Sequence, residues 1–353
     1  MNLPELKNNF YKRLGPSDNF LYFTSNGFLC SLLGYDNIVS APFIGCTLSM
    51  GIKMFARKLN GDMIIIQDNA KSKAISYKYG TNISQYTGEP KETIELLQRF
   101  EGRHINGAEI LFDCSIPEFL PYKDALFLTL TQSVLKISNI ESDPLEIACI
   151  AAGSENISPY MGMIYSKKGY CTHIYGRVPQ NLPLPMSGYK ILTAHCTESE
   201  RSHSKEINYA MEHIRRLYPH IGSISDITPE MLQAAKNSVK NKTALRYLYH
   251  LVNENERMAI ASKALKRCDI QGLFTQMNLS QMSMERFWDL GSEHTFLARC
   301  SKNIDGIEAV RCWKNGIVAI TRNDKIDHAI TMIKCAFETH IGYQPTFCVC
   351  DVF

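Results

Sequence analysis

The chain lacks long apolar runs, an excess of charge of one sign, and paired-cysteine motifs. No window approaches the roughly 20 uninterrupted apolar residues of a membrane helix, so a membrane-spanning protein is not expected. With 38 Lys and Arg against 35 Asp and Glu the formal net charge is only +3, and the basic residues are scattered. A dedicated nucleic-acid binder, which holds a polyanion through clustered basic side chains, is excluded on the same grounds. The start, Met1-Asn2-Leu3-Pro4-Glu5, has no basic cluster followed by an apolar run and a cleavage site, so a cytoplasmic location is expected. The Asn-x-Ser/Thr triplets at Asn82, Asn156, Asn241 and Asn278 then carry no glycan.

Cysteine is plentiful at 12 residues, yet no two are spaced C-x-x-C. The close pair Cys348 and Cys350 flanks Val349 in a strand-like run, and a disulfide framework has little support. Cys171 with His173, and His195 with Cys196, have no second pair at zinc-finger spacing, so no metal site is expected. An apolar content of 45% and a charged content of 21% over 353 residues describe a folded protein large enough for two cores.

Residues 20–67 are β-rich. Gly51–Lys58 and Asp62–Gln67 read as strands joined through Leu59-Asn60-Gly61, and Asn-Gly predicts a tight hairpin between them. A helix over Lys91–Phe100, a strand over Ala108–Cys114 and a buried helix over Lys123–Ile137 follow. The next helix starts at Asp143-Pro144-Leu145-Glu146, with Asp as cap, Pro at the first position and Glu closing a capping box. Strand-like sequence returns over Gly162–Leu192, and Pro179, Pro183 and Pro185 mark a loop that divides the chain into lobes 1–190 and 191–353.

The second half is helical over Ser204–Tyr218, Thr228–Val239 and Lys242–Arg267. The polar block Asn253–Arg257 interrupts the apolar stripe of the third helix and marks either a solvated face or a hydrogen-bonded seat between helices. A second Asn-Gly hairpin joins Gly306–Trp313 to Ile317–Thr321, before a helix over Lys325–Glu338 and a strand over Thr346–Val352. The fold class is α+β, with mixed sheets flanked by helices.

The run Thr243-Ala-Leu-Arg-Tyr-Leu-Tyr-His-Leu-Val-Asn-Glu-Asn-Glu-Arg257 is followed by Ala264-Leu-Lys-Arg-Cys-Asp269 and Met277-Asn-Leu-Ser280. It resembles the galactokinase pattern V-x-E-N-x-R, A-L-x-x-G-D, M-N-x-S. Thr47–Gln67 is similar to the family's amino-terminal strands, Pro144 to Asn156 to its helix ending in A-E-N, and Gly306–Phe353 to its carboxy-terminal layer. The resemblance implies the two-lobed GHMP-kinase fold, in which Mg²⁺-ATP and a small sugar meet between lobes.

Shared scaffold does not carry shared chemistry, and three reaction motifs depart from the family. In G-R-x-N-L-I-G-E-H-T-D-Y, Leu32-Leu33-Gly34 aligns, but Phe28 or Leu29 replaces the arginine that stabilises anionic charge. Asp36 and Asn37 are candidates for sugar hydroxyls or for a simple turn. The phosphate loop P-x-G-x-G-L-S-S-S-A becomes Pro117-Glu-Phe-Leu-Pro-Tyr-Lys-Asp-Ala125, with no glycine to admit phosphate to backbone N–H groups. Lys123 and Asp124 are its remaining ligand-binding candidates. The catalytic loop C-G-I-M-D-Q becomes Ser158–Ile164, with Gly162 at the place of the aspartate, and glycine accepts no proton. The loop M-T-G-x-G-F-G-G is replaced by the hairpin at Arg311–Gly316.

The expectation is a galactokinase-like protein that has lost phosphoryl transfer, with no catalytic residue, and acts as a sugar-responsive sensor or as the regulatory partner of another protein. The alternative is an active ATP-dependent kinase using Asp36, Asp124 or Glu155 as base and Lys123 or Arg311 on phosphate.

Overall fold

The computed structural model describes residues 3–16, 19–25, 27, 29–35, 38, 41–71, 73–79, 91–100, 102–120, 122–153, 156–175, 178–199 and 201–353. In chain order the first elements are α1 (Leu3–Leu14), β1 (Leu21–Thr24), β2 (Leu29–Gly34), β3 (Phe43–Thr47), β4 (Ile52–Leu59), β5 (Met63–Asp68) and β6 (Ala74–Lys78). There follow α2 (Lys91–Gln98), β7 (Gly107–Cys114), α3 (Tyr122–Ile137), α4 (Pro144–Ala152), α5 (Ser158–Ile164), β8 (Tyr170–Tyr175), β9 (Val178–Pro183) and β10 (Tyr189–His195). The chain ends with α6 (Ser204–Leu217), α7 (Pro229–Ala235), α8 (Lys242–Leu265), α9 (Ile270–Phe287), α10 (Ser292–Lys302), β11 (Ile307–Trp313), β12 (Gly316–Arg322), α11 (Ile326–Ile341) and β13 (Thr346–Cys350). Among the described residues no helix is long and apolar enough to cross a membrane.

Two compact units emerge: Met1–Leu29 with Thr47–Ile164, and Cys30–Cys46 with Tyr165–Phe353. The proline-marked division after residue 190 rests on a different signal, and it falls inside the second unit, in β10.

The first unit is built on a five-stranded sheet in the order β1-β4-β7-β5-β6. This overturns the expected hairpin between β4 and β5. Both strands form, and Gly61 takes a positive φ of 95° at the turn, but β7 lies between them, antiparallel to β4 and parallel to β5. The reason is burial: Ile110 and Leu111 point to opposite faces of β7 and both are fully enclosed, so β7 is stable only as a central strand. An Asn-Gly turn reverses the chain without dictating which strands pair. The helix α3 is buried on nearly every side, from Ala125 to Ile137. Asp143 caps α4 by accepting from the Glu146 N–H at 2.8 Å. Glu146 does not return the bond expected of a capping box; its carboxylate takes Arg103 at 2.7 Å.

In the second unit β11-β12-β10-β13 and β2-β3-β8-β9 form two four-stranded sheets. The second expected hairpin forms, with Trp313 opposite Gly316 across the two-residue turn Lys314-Asn315. Its glycine does different work from that expected: Lys314, not Gly316, carries the positive φ of 51°. A Cβ on Gly316 would stand 2.0 Å from the Ala194 carbonyl oxygen, so glycine is required for the approach of β10.

The family pattern A-L-x-x-G-D has Cys268 at its glycine, and the backbone there keeps the glycine conformation, φ 58°. The Asp269 N–H donates to the Ala264 carbonyl at 3.0 Å and the Cys268 N–H to the Leu265 carbonyl at 2.9 Å, the paired bonds that end a helix through a left-handed residue. A side chain in that conformation costs about 1–2 kcal/mol, more than the entropy a glycine adds to the unfolded chain. Cys268→Gly is therefore expected to raise stability by about 0.5–1 kcal/mol, read as a higher urea midpoint.

Candidate functional site

The string that carries the family resemblance folds into a buried polar seam of the second unit. Glu254, 1% exposed in the middle of α8, is the acceptor at its centre. It takes the Gly34 N–H at 3.2 Å, the Ser280 hydroxyl at 2.9 Å and the Arg257 guanidinium at 2.6 Å. Arg311, 1% exposed on β11, donates to the Gly34 carbonyl at 2.7 Å and to Ser280 Oγ at 2.9 Å, and stands 3.9 Å from Glu254. Ser280 thus donates to the carboxylate and accepts from the guanidinium. Asn278 accepts from the Val310 N–H and donates to the Glu308 carbonyl, and Gln281 accepts from the Cys312 N–H. The M-N-x-S motif therefore stitches α9 to β11. The polar block in α8 is a hydrogen-bonded seat, one of its two expected readings. Burial is the largest influence on Glu254 and opposes its charge. The surrounding groups, His250, Arg311, Arg257 and the Ser280 hydroxyl, outweigh it and hold the carboxyl below its usual range.

Next to Gly34, at the family's glutamate in G-E-H-T-D-Y, stands Tyr35. Its ring stacks on Trp288 at 4.7 Å, its hydroxyl meets His250 Nε2 at 2.7 Å, and Arg311 lies over its face at 4.8 Å. At this position of the motif the side chain is spent on the core of the second unit, a loss missing from the sequence reading, which weighs the arginine position, Asp36 and Asn37 but not Tyr35. Gly34, Tyr35, Trp288, His294 and Arg311 contribute to a pocket whose free volume is about 20 Å³, space for about one water molecule. Arg311, considered for phosphate, has its guanidinium fully engaged in this seam.

In the first unit the stretch Pro117–Leu120 turns back on itself before α3. The Leu120 N–H donates to the Pro117 carbonyl at 3.0 Å and the Tyr122 N–H to the Leu120 carbonyl at 2.8 Å, so backbone donors that a phosphate loop leaves open are occupied. Lys123 is exposed in the first turn of α3 and Asp124 is half-buried beside it. Asp124 Oδ1 accepts from the Tyr160 hydroxyl at 3.2 Å. The stretch aligned with the catalytic loop is the helix α5, and its Ser158–Met163 are buried. Asp36, Asn37, Glu155 and Phe28 lie outside the described residues, as does the side chain of Leu29. Among the described residues no group of three or more His, Cys, Asp or Glu side chains is arranged to hold a metal ion.

No family model matches the chain. It is 27% identical over 153 residues to a galactokinase of Clostridium perfringens, covering 42% of this chain and 39% of that relative. A galactokinase of Clostridium beijerinckii is 21% identical over 99% of this chain and 97% of its own length. Among solved structures, Lactococcus lactis galactokinase complexed with galactose superposes with a TM-score of 0.84 at 18% identity, covering 99% of this chain and 98% of that one. Methanococcus jannaschii mevalonate kinase superposes with a TM-score of 0.63 at 12% identity, covering 96% and 100%. The chain is thus galactokinase-like in sequence over nearly its whole length and shares the fold of these kinases.

Proposed function

We propose that this galactokinase-like protein does not transfer phosphoryl groups and acts in the cytoplasm as a sugar-responsive sensor or as the regulatory partner of another protein. The observation that carries the proposal is the buried helix α5, which has Gly162 where the family pattern has its aspartate base. No carboxylate occurs between Ser158 and Ile164, and a missing general base alone removes about 10²–10⁴ in rate. The Pro117–Ala125 stretch adds to this. Without glycine, and with its 120 and 122 N–H groups committed, it does not fit a triphosphate with its Mg²⁺.

One observation favours the second reading, an active kinase. Asp124 is held by Tyr160, two positions before Gly162 in sequence, and a carboxylate fixed this way is a charged acceptor beside α5. The test is thermal unfolding with Mg²⁺-ATP and with galactose, joined to an ADP-release assay. The expected result is no midpoint shift with Mg²⁺-ATP and no ADP above background, while a galactose-induced rise supports the sensor. A ligand at about 100-fold its Kd stabilises by about 2.7 kcal/mol, well above detection. A rise with Mg²⁺-ATP together with turnover that Asp124→Asn abolishes would establish the kinase instead.

A further inference from the structure

Cys348 and Cys350 lie two residues apart in β13 and project from the same side of the strand, with their sulfur atoms 3.5 Å apart. We infer that this pair is a site of reversible oxidation, closing to an intrastrand disulfide with a peroxide or disulfide oxidant. Three features support it besides the sulfur separation.

The two thiols differ in access: Cys348 is half-buried and Cys350 is 3% exposed. One presents itself to an oxidant while the other waits behind it, the arrangement of an attacking and a resolving thiol. The hydrogen bond from Cys350 lowers the Cys348 thiol from its ordinary value against the opposing effect of burial, while burial pushes Cys196 and Cys312 up to about 12. Thiolate character, on which oxidation depends, is thus favoured at Cys348, whose neighbour 3.5 Å away is the resolving thiol.

The strand is also placed to deform. Positions two apart in a strand are separated by about 6.6 Å, near the upper end of the roughly 4.4–6.8 Å that a disulfide spans, so closure puckers the backbone. Among the described strands β13 lies at the sheet edge and pairs with β10, Cys348 opposite Thr193 and Cys350 opposite Ile191. Puckering there disturbs one ladder and no second one. A bridge closed under this strain is reduced readily, as in a switch and unlike a permanent crosslink.

With hydrogen peroxide the step balances. The Cys348 thiolate attacks a peroxide oxygen, giving the sulfenic acid and hydroxide. The Cys350 thiolate then attacks that sulfur, closing the S–S bond and expelling a second hydroxide. The thiol protons neutralise both hydroxides, so two thiols and one peroxide give one disulfide and two waters.

Trypsin leaves Cys348 and Cys350 in one peptide that begins at Cys335, because no Lys or Arg occurs between Cys335 and Phe353. Full-length Cys335→Ser protein, treated with hydrogen peroxide, acid-quenched, alkylated and digested, is expected to yield this peptide lighter by two hydrogens and unalkylated. Dithiothreitol restores double alkylation, and adding Cys348→Ser abolishes the mass loss. Retention of two alkylatable thiols, stable sulfinic acid at Cys348, or a bridge to another chain on a non-reducing gel would each overturn the assignment.

Discussion

Replacing Arg311 by Met is expected to destabilise the second unit by about 3–5 kcal/mol, the cost of removing one partner from a buried charge pair. The loss comes from what is left behind. Glu254 keeps Arg257, Ser280 and the Gly34 N–H, but the Gly34 carbonyl loses its donor at 2.7 Å and keeps only the Ser31 hydroxyl at 3.4 Å, Ser280 Oγ loses a donor at 2.9 Å, and the face of Tyr35 loses its cation. Each buried acceptor deprived of its main donor costs about 1–3 kcal/mol, so the total follows without assigning special strength to the 3.9 Å ion pair. Methionine fills most of the volume, which keeps cavity formation out of the measurement.

The partner experiment separates charge from packing. Glu254→Leu alone strands Arg311 and is expected to cost a similar amount. The double variant Glu254→Leu with Arg311→Met buries no charge and is expected to lose clearly less than the sum of the singles, because an apolar pair tolerates the interior better than half an ion pair. Strict additivity would refute the coupling. Urea unfolding by tryptophan fluorescence reads this cleanly: the chain has 2 tryptophans, Trp288 and Trp313, and both are buried in the second unit.

The seam also shows where sequence reading reaches and where it stops. The block Asn253–Arg257 was legible as polar residues where the helix stripe should be apolar, and the resemblance rested on that same string. What satisfies Glu254 was not legible: Gly34 lies 220 positions away, and nothing local at Leu32-Leu33-Gly34 announces it. The same limit explains the β4–β5 error. Asn60-Gly61 specifies a reversal, a local property. Insertion of β7 between the two strands depends on which apolar run needs both faces covered, and that is decided by the whole sheet. Helix ends, by contrast, are set within a few residues, and Asp143, Thr228 and Asn241 all cap as expected or as their residue type favours. Of the candidate ligand residues, Lys123 and Asp124 were placed correctly at the start of a helix, but the grip of Tyr160 on Asp124 joins two helices and had no sequence signal. Tyr35 had one: an aromatic at the glutamate of a sugar motif.

The second unit is also expected to lose stability steeply on mild acidification, well before its carboxylates titrate. Burial pushes His250 down to about 3, and burial together with the neighbouring His294 pushes His195 down to about 4. Both imidazoles are therefore neutral in the folded protein at every pH where it is ordinarily handled, whereas in the unfolded chain each takes a proton near pH 6.5. The sign follows from proton counting: below about 6.5 the unfolded state binds more protons, so stability falls as pH falls, by about 1.4 kcal/mol per pH unit for each group. Between about pH 7.5 and about pH 5.5 the two together remove about 3 kcal/mol. Glu254 adds to the loss only lower down, since a carboxyl held below its usual value gives up its contribution as pH drops through the carboxylate range. Urea midpoints followed by tryptophan fluorescence across this window test the prediction, and His195→Asn is expected to reduce the slope while leaving His250 in place between Tyr35 and Ser283 and the lowered His173 and His203 untouched. A flat profile above pH 5.5 would mean that the imidazoles find protons or water in the fold, and that the aromatic cluster around Trp288 is less enclosed than its packing requires.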